Sequence, residues 1–304
     1  MKEPLFDCIA FDADDTLWHN EHLYLNTADA FKHLLAPYAP PERVAERLNE
    51  VEIDNLGCYG YGIKAFALSL IETAIELSDG RITGAEIRRV IDLARAMLAA
   101  EVHLLDHAEA TVKALAARYP LMVITKGDPL DQEAKVRRSG LAPYFRYVEV
   151  VADKTRDIYA AILSKYRLDP ARFLMVGNSL RSDILPVVAL GGRAVYVPYR
   201  TTWAHEHADP TPAERERFFE IEHLGLLPGL VERLEGGGKP SSPAALPGAA
   251  AGASRAIAGL LRSEANWPSP GGLRARKLSV VLLPHGSSEA DRPARSLSPC
   301  GGEG

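Results

Sequence analysis

The chain has 304 residues, which is enough for one large domain or two smaller ones. Hydrophobic residues make up 47% of it and charged residues 25%, as in ordinary globular proteins, and the net charge of −5 argues against general nucleic-acid binding through a basic surface. No apolar run approaches the length of a membrane span, so we expect no membrane partner.

The first predicted element is a buried parallel strand over Leu5–Phe11. Asp12 and Asp14 follow it directly, at the end of the strand where open α/β sheets bind their ligands. Residues two apart on a strand share a face, so both carboxylates can face one pocket. Carboxylates this close repel each other unless a divalent cation or a shared proton intervenes. The alternative is a loop whose acids cap a following helix through Asp15 or Thr16.

Residues 18–105 have a predominantly helical pattern. Apolar residues recur at helical spacing over three segments: Pro41–Val51, Ile63–Leu77 and Thr83–Ala100. Thr83 followed by Glu86 is typical of a capping box at a helix start. Since this stretch separates the first predicted strand from the second, we expect it to form a helical cap over the C-terminal edge of the sheet.

Strands and helices alternate over residues 106–234. The predicted strands are Pro120–Thr125, Tyr147–Val151, Phe173–Val176 and Arg193–Pro198. The predicted helices are His107–Tyr119, Leu130–Ser139, Asp157–Arg167 and Asp183–Leu190. Such alternation indicates βαβ units with right-handed crossovers, and therefore an α/β fold with a doubly wound parallel sheet. Residues 1–17 and 106–234 would together form this core.

The composition of the chain changes near Glu235. Residues 235–304 hold 12 of the 24 glycines and 8 of the 21 prolines. We predict a disordered Gly/Pro/Ala-rich tail that is dispensable for catalysis. Two short apolar patches within it, Ala256–Leu261 and Leu278–Leu283, could order on a partner or on a membrane surface.

Polar residues follow the predicted strands where a phosphate site would need them. Thr125 and Lys126 end the second strand, before a glycine turn whose N–H groups can bind phosphate oxygens. Lys154 follows the third strand and can neutralise charge on a phosphate and on a nucleophilic carboxylate. The segment Gly177–Asp183 ends the fourth strand and offers the oxygen ligands that Mg²⁺ prefers. Each has a plain alternative, because Thr125 and Ser179 can cap helices and Lys154 can be an exposed loop charge.

With these motifs in this order, the chain resembles phosphatases of the haloacid dehalogenase superfamily. The four motifs are Asp12–Thr16, Thr125, Lys154 and Gly177–Asp183, and the resemblance extends over about Leu5–Leu234. It implies a Rossmann-like core. The helical insert between the first and second motifs implies the subfamily with a helical C1 cap.

The resemblance also implies roles for individual residues. Asp12 is then the nucleophile that forms an aspartyl-phosphate intermediate. Asp14 protonates the leaving oxygen and afterwards activates water. Thr125 and Lys154 hold the phosphoryl oxygens.

A Mg²⁺ cofactor is the further implication of the resemblance. The ion would lie on the Asp12 carboxylate, the Asp14 main-chain carbonyl and a side chain of the fourth motif. That motif usually reads Gly-Asp, and here Asn178 replaces the acid. An amide oxygen still ligates Mg²⁺ but carries no charge, so we expect weaker Mg²⁺ affinity. Asp183 could ligate directly or orient metal-bound waters, and the choice between Asn178 and Asp183 stays open.

Asp14 separates the reactions of this superfamily. Its dehalogenases lack an acid at that position, because a halide leaves without a proton. Its phosphonatases also lack the acid and use a cap lysine; Lys64 lies in the predicted cap here, but with Asp14 present we expect it to contact substrate or to carry surface charge. We therefore expect hydrolysis of a small phosphomonoester. A phosphomutase, another hydrolase of the superfamily and a catalytically silent binding protein are the alternatives.

Four residues are the expected substrate contacts besides the catalytic ones: Trp18, His19, Tyr61 and Lys126. Trp18 and His19 follow the catalytic loop, and Tyr61 lies in a predicted loop, Cys58–Gly62, that opens a cap helix. Closure of the cap would exclude water from the reaction.

The three cysteines, Cys8, Cys58 and Cys300, are widely spaced and odd in number. They predict neither a disulfide framework nor a zinc site. Together with a charged start that does not resemble a signal peptide, they favour a reducing cytoplasm. The sequence leaves the oligomeric state open.

Overall fold

A computed structural model describes residues 4–236, apart from residues 202 and 207. Its strands are β1 Cys8–Phe11, β2 Leu121–Lys126, β3 Tyr147–Val151, β4 Phe173–Gly177, β5 Arg193–Tyr196 and β6 Phe218–Glu220. They form one parallel sheet in the order β3-β2-β1-β4-β5-β6. The predicted doubly wound parallel sheet is confirmed. The strand order reverses between β1 and β4, where sheets of this kind bind their ligands.

The α-helices among these residues precede, connect and follow the strands. They are α1 Glu21–Leu35, α2 Pro41–Tyr59, α3 Ile63–Leu77, α4 Gly84–Ala99, α5 Ala108–Ala116, α6 Pro129–Arg138, α7 Arg156–Tyr166, α8 Leu185–Ala189, α9 Pro212–Arg215 and α10 Leu227–Glu235. A π-helical turn over Leu180–Ile184 precedes α8.

The central strands are apolar throughout because both faces of the sheet are buried. In β1, Ile9 and Phe11 pack into one hydrophobic cluster with residues of α5 and α10. Cys8 and Ala10 point to the other face and pack with residues of α7. This alternation explains why the strand has no polar position.

Helices α1–α4 lie between β1 and α5 and enclose a separate hydrophobic cluster. Its fully buried members include Phe31, Leu70 and Val90. The capping box at the start of α4 is present, with Thr83 and Glu86 each bonded to the backbone N–H of the other. The cluster does not depend on side chains of the sheet.

Several predicted boundaries differ from the structure. Helix α2 continues eight residues past the predicted end, so Cys58 and Tyr59 are helical and the loop begins at Gly60 with a φ of 69°. Strand β6 was not predicted, because three residues at a sheet edge carry no periodic signal. Glu235 belongs to α10 and accepts hydrogen bonds from Arg118 and Tyr119, so the last core helix extends one residue into the predicted tail.

The other predictions for the tail, including its two apolar patches, lie outside the described residues. Within the part that the structure describes, no helix is long and apolar enough to cross a membrane.

Candidate active site

A cavity of about 360 Å³ lies between the carboxyl ends of the strands and helices α1–α3. Its lining includes these predicted site residues: Asp12, Asp14, Tyr61, Thr125, Lys126, Lys154, Asn178 and Asp183. Parallel strands bring their carboxyl ends to one edge, so motifs far apart in sequence meet in this cavity.

Lys154 joins two buried carboxylates at the floor of the cavity. Its Nζ lies 2.5 Å from Asp12 Oδ1 and 2.7 Å from Asp183 Oδ1, and its side chain is 2% exposed. Burial raises the pKa of Asp12 to about 7, although the charge of Lys154 opposes the rise. Burial by itself would lower the pKa of Lys154, but the two carboxylates outweigh it and raise that pKa above its ordinary value. Lys154 therefore stays charged and holds Asp12 against the repulsion of Asp183.

Asp183 reaches Lys154 because β4 ends in a glycine. A β-carbon at Gly177 would lie 2.3 Å from Asp183 Oδ2. The same oxygen accepts the backbone N–H of Ser179 at 3.0 Å. Both oxygens of Asp183 are thus engaged, one by a cation and one by a backbone donor. Asp183 is therefore placed to orient Lys154.

Thr16 lies between Asp12 and Asn178. Its hydroxyl is 2.9 Å from Asp12 Oδ2 and 3.3 Å from Asn178 Oδ1. A carboxylate oxygen and an amide oxygen therefore converge on one point, and such oxygens fit Mg²⁺, which is usually held by one or two carboxylates together with substrate phosphate. The described residues contain no cluster of three His, Cys, Asp or Glu side chains that could hold a metal ion. Asn178 therefore adds a neutral oxygen beside the Asp12 carboxylate.

The carboxylate of Asp14 is held by three side chains. Trp18 Nε1 donates to Oδ1 at 2.7 Å, and Gln132 Nε2 donates to Oδ2 at 2.8 Å. Lys135 Nζ lies 2.9 Å from each oxygen. Gln132 and Lys135 are not among the predicted site residues, because their helix α6 has the polar composition of a surface helix. Both side chains are buried despite that composition, and this burial is visible only in the folded structure.

Asp15 caps the first helix of the insert. It adopts a left-handed conformation with a φ of 60°. Its Oδ1 accepts the backbone N–H of Asn20 at 2.8 Å, and its Oδ2 accepts that of Glu21 at 3.0 Å. Asp15 therefore fits the alternative interpretation of the acidic loop, in which an acid caps the following helix. Burial raises its pKa to about 6, although these N–H donors oppose the rise.

Lys126 binds the carboxylate of Glu206, which is not among the predicted site residues. Its Nζ lies 2.5 Å from Glu206 Oε1 and 4.0 Å from the centre of the Tyr61 ring. Glu206 Oε2 accepts hydrogen bonds from the hydroxyls of Ser179 at 2.7 Å and Ser182 at 2.5 Å. Burial by itself would raise the pKa of Glu206. The charge of Lys126 and these hydrogen bonds outweigh burial and lower the pKa to about 2. Glu206 ends a short 3-10 helix that follows β5, and nothing in the sequence marks it.

Two of the expected substrate contacts lie elsewhere. Trp18 is 1% exposed, its indole N–H is bonded to Asp14, and it does not line the cavity. His19 Nδ1 lies 2.7 Å from Tyr199 Oη, away from the cavity lining. Thr125 is buried and lines the cavity at the end of β2.

Helix α3 contacts the turn after β2. Lys64 Nζ pairs with Asp128 Oδ2 at 3.0 Å, and the Lys64 side chain is 52% exposed. Gly62, with a φ of 114°, approaches the same turn so closely that a β-carbon would lie 3.1 Å from Asp128 N. Lys64 therefore bridges the insert to the core. It does not line the cavity.

Two carboxyls of the helical insert also face the cavity. Burial raises the pKa of Glu52 to about 7. Burial, together with the negative charge of Asp15, raises the pKa of Glu21 to about 8. The cavity therefore has Lys154 between two carboxylates at its floor and protonatable acids on the helical side.

Comparison with known proteins places this arrangement in one family. Residues 6–191 match the family model described as haloacid dehalogenase-like hydrolase. A search of curated proteins gave no match. The crystal structure of a haloacid dehalogenase-like family hydrolase from Xanthomonas campestris is 38% identical, with a TM-score of 0.68, and the match covers 77% of this chain and 93% of that one.

More distant solved structures share the fold. A 2-haloacid dehalogenase from Pseudomonas syringae pv. Tomato is 24% identical, with a TM-score of 0.53, over 75% of this chain and 99% of that one. A putative HAD-hydrolase from Bacillus subtilis, bound to magnesium, is 15% identical, with a TM-score of 0.55, over 75% of this chain and 99% of that one.

Proposed function

The chain belongs to the haloacid dehalogenase-like hydrolases, and from that premise we propose that it is a Mg²⁺-dependent phosphatase of small phosphomonoesters. The observation that carries the proposal is a second carboxylate, Asp14, in the same cavity as the lysine-paired Asp12. A halide leaves carbon without a proton, whereas an alkoxide leaving phosphorus needs one. An acid beside the nucleophile is therefore useful for phosphoester hydrolysis and superfluous for dehalogenation.

In the first half of the proposed reaction, an Asp12 carboxylate oxygen attacks phosphorus. The new bond joins Oδ to phosphorus, the bond from phosphorus to the leaving oxygen breaks, and Asp14 gives that oxygen its proton. Lys154 neutralises charge on Asp12 and on the phosphoryl oxygens. The buried hydroxyl of Thr125 is our candidate to bind one of those oxygens.

In the second half, Asp14 takes a proton from water as the water attacks phosphorus. The bond from phosphorus to Asp12 then breaks, which releases phosphate and restores the carboxylate. Asp12 and Asn178, with the main-chain carbonyl of Asp14, would hold Mg²⁺, and the bound ion supplies charge stabilisation to the phosphoryl group. The converging oxygens of Asp12 and Asn178 support that assignment.

We further propose that residues 18–105 act as a cap over a core formed by residues 1–17 and 106–234. Their separate hydrophobic cluster supports this division. So do the cavity between the two parts and the Lys64–Asp128 ion pair that bridges them. We retain Tyr61 and Lys126 as substrate contacts, because both line the cavity.

The proposal is tested by assaying two products in parallel. With Mg²⁺, we expect the full-length protein to release phosphate from p-nitrophenyl phosphate and from members of a panel of sugar phosphates and nucleotides. We expect it to release no chloride from 2-chloropropionate. Chloride release without phosphate release would assign the site to dehalogenation.

A further inference from the structure

Asp14 has no unused hydrogen-bonding position in this structure. A carboxylate offers about four acceptor sites on its two oxygens. Trp18 Nε1 occupies one site, Gln132 Nε2 a second, and Lys135 Nζ contacts both oxygens at 2.9 Å. The Asp14 side chain is 22% exposed, whereas that of Lys135 is 8% exposed. The carboxylate therefore faces the cavity, which Gln132 also lines, whereas Trp18 and Lys135 do not line it.

These holding groups are themselves fixed. Trp18 is 1% exposed in the main cluster of the core. Gln132 Nε2 also donates to the carbonyl of Lys126 at 2.8 Å, which ties it to the end of β2. Lys135 Nζ also donates to Asn20 Oδ1 at 3.1 Å, at the start of α1. The orientation of Asp14 is thus set by β2, α1 and α6 together.

Trp18 and Gln132 each donate to one oxygen of Asp14. Of the three holding groups, Lys135 is the one that contacts both oxygens, so it sets the orientation of the whole carboxyl group. We infer that Lys135 is the positioning residue for Asp14, which it holds in the orientation that passes a proton to the leaving group. This inference rests on the proposed phosphatase function.

The test compares two substrates of similar size that need the acid to different degrees. The p-nitrophenolate group leaves without a proton, and the alkoxide of benzyl phosphate does not. For Lys135→Met we expect kcat/KM to fall about 10²-fold with benzyl phosphate and less than about 10-fold with p-nitrophenyl phosphate, in keeping with the usual size of general acid catalysis. Trp18→Phe keeps an aromatic but smaller side chain, removes the donor to Asp14 and, in the folded protein, should show the same selective loss.

Arg137→Met is the matched control, because Arg137 lies on the same helix, is exposed and pairs only weakly with Glu133 at 3.5 Å. It should change neither substrate's kcat/KM. If folded Lys135→Met and Trp18→Phe lose both activities equally, or lose neither, the positioning role is refuted while the phosphatase function stands. A parent protein that hydrolyses neither substrate would instead overturn the proposed function, and the inference with it.

Discussion

Gly177 and Asp183 are so close that a β-carbon at position 177 would lie 2.4 Å from the Asp183 carboxyl carbon. Gly177→Ala should therefore push Asp183 away from Lys154, lower stability and abolish activity. Gly57→Ala is the matched control, since nothing lies within 4 Å of its β-carbon and Gly57 is in the last turn of α2. The control should leave stability unchanged or raise it slightly, because alanine favours the helix more than glycine does. Thermal unfolding and phosphate release measure both effects, and an active, stable Gly177→Ala protein would contradict this packing.

Lys154→Met should destabilise the protein as well as inactivate it. The change leaves Asp12 and Asp183 buried without a cation, which costs about 3–5 kcal/mol for a broken buried pair. Denaturant unfolding at pH 5 and at pH 7 tests the cause. The loss should be smaller at pH 5, because Asp12 then takes up a proton in place of the lysine contact. An equal loss at both pH values would argue against the charge explanation. Lys113→Met, which removes an exposed ion pair, should leave stability unchanged.

Asn178→Asp should bind Mg²⁺ more tightly. The change adds a negative charge beside Asp12, at the point where the two side-chain oxygens converge on Thr16. The Mg²⁺ concentration that gives half-maximal activity should fall, and calorimetric titration should give a lower Kd. Unchanged affinity would mean that position 178 does not ligate the ion.

Stability should fall as the pH rises from about 5 to about 8. The pKa of Glu52 is raised by burial from its ordinary 4.5 to about 7, so between these values the folded protein holds a proton that the unfolded chain releases. Raising the pH therefore favours unfolding. Asp12, Asp15 and Glu21 act in the same direction.

Glu52→Gln removes one of these protons and should flatten the fall in melting temperature between the two pH values. Asp54→Asn, at an exposed position two residues further along the same helix, should leave the curve as it is. If the curves of the parent and the Glu52 variant are parallel, Glu52 is not the buried acid that the structure indicates.

The sheet and the residues at its strand ends were predictable because each central strand is a short apolar run that ends in a polar motif. Asp12, Thr125, Lys154 and Asn178 then had to meet, since parallel strands end on one edge. The pattern also predicted the helical insert and its capping box. Local sequence is enough for such features, because they depend on spacing alone.

The surroundings of Asp14 were not predictable in the same way. Lys135 and Gln132 lie on a helix of polar composition, and their burial depends on how α6 packs beside β3 and the loop that carries Asp14. Trp18 follows the catalytic loop, and the sequence does not tell whether its ring packs inward or faces substrate. Glu206 contacts Lys126 across 80 residues of chain. These contacts arise from tertiary packing, which no local pattern records.

The most direct test of the account is phosphate release from p-nitrophenyl phosphate by the parent protein and by Asp12→Asn, each with and without Mg²⁺. Asn keeps the shape of Asp12 but cannot act as the nucleophile. We predict Mg²⁺-dependent turnover by the parent. In the variant the rate should be lower by a factor of at least about 10³, as for loss of a nucleophile. A folded Asp12→Asn protein that turns over at the parental rate, or a folded parent that releases no phosphate from any ester tested, would contradict it.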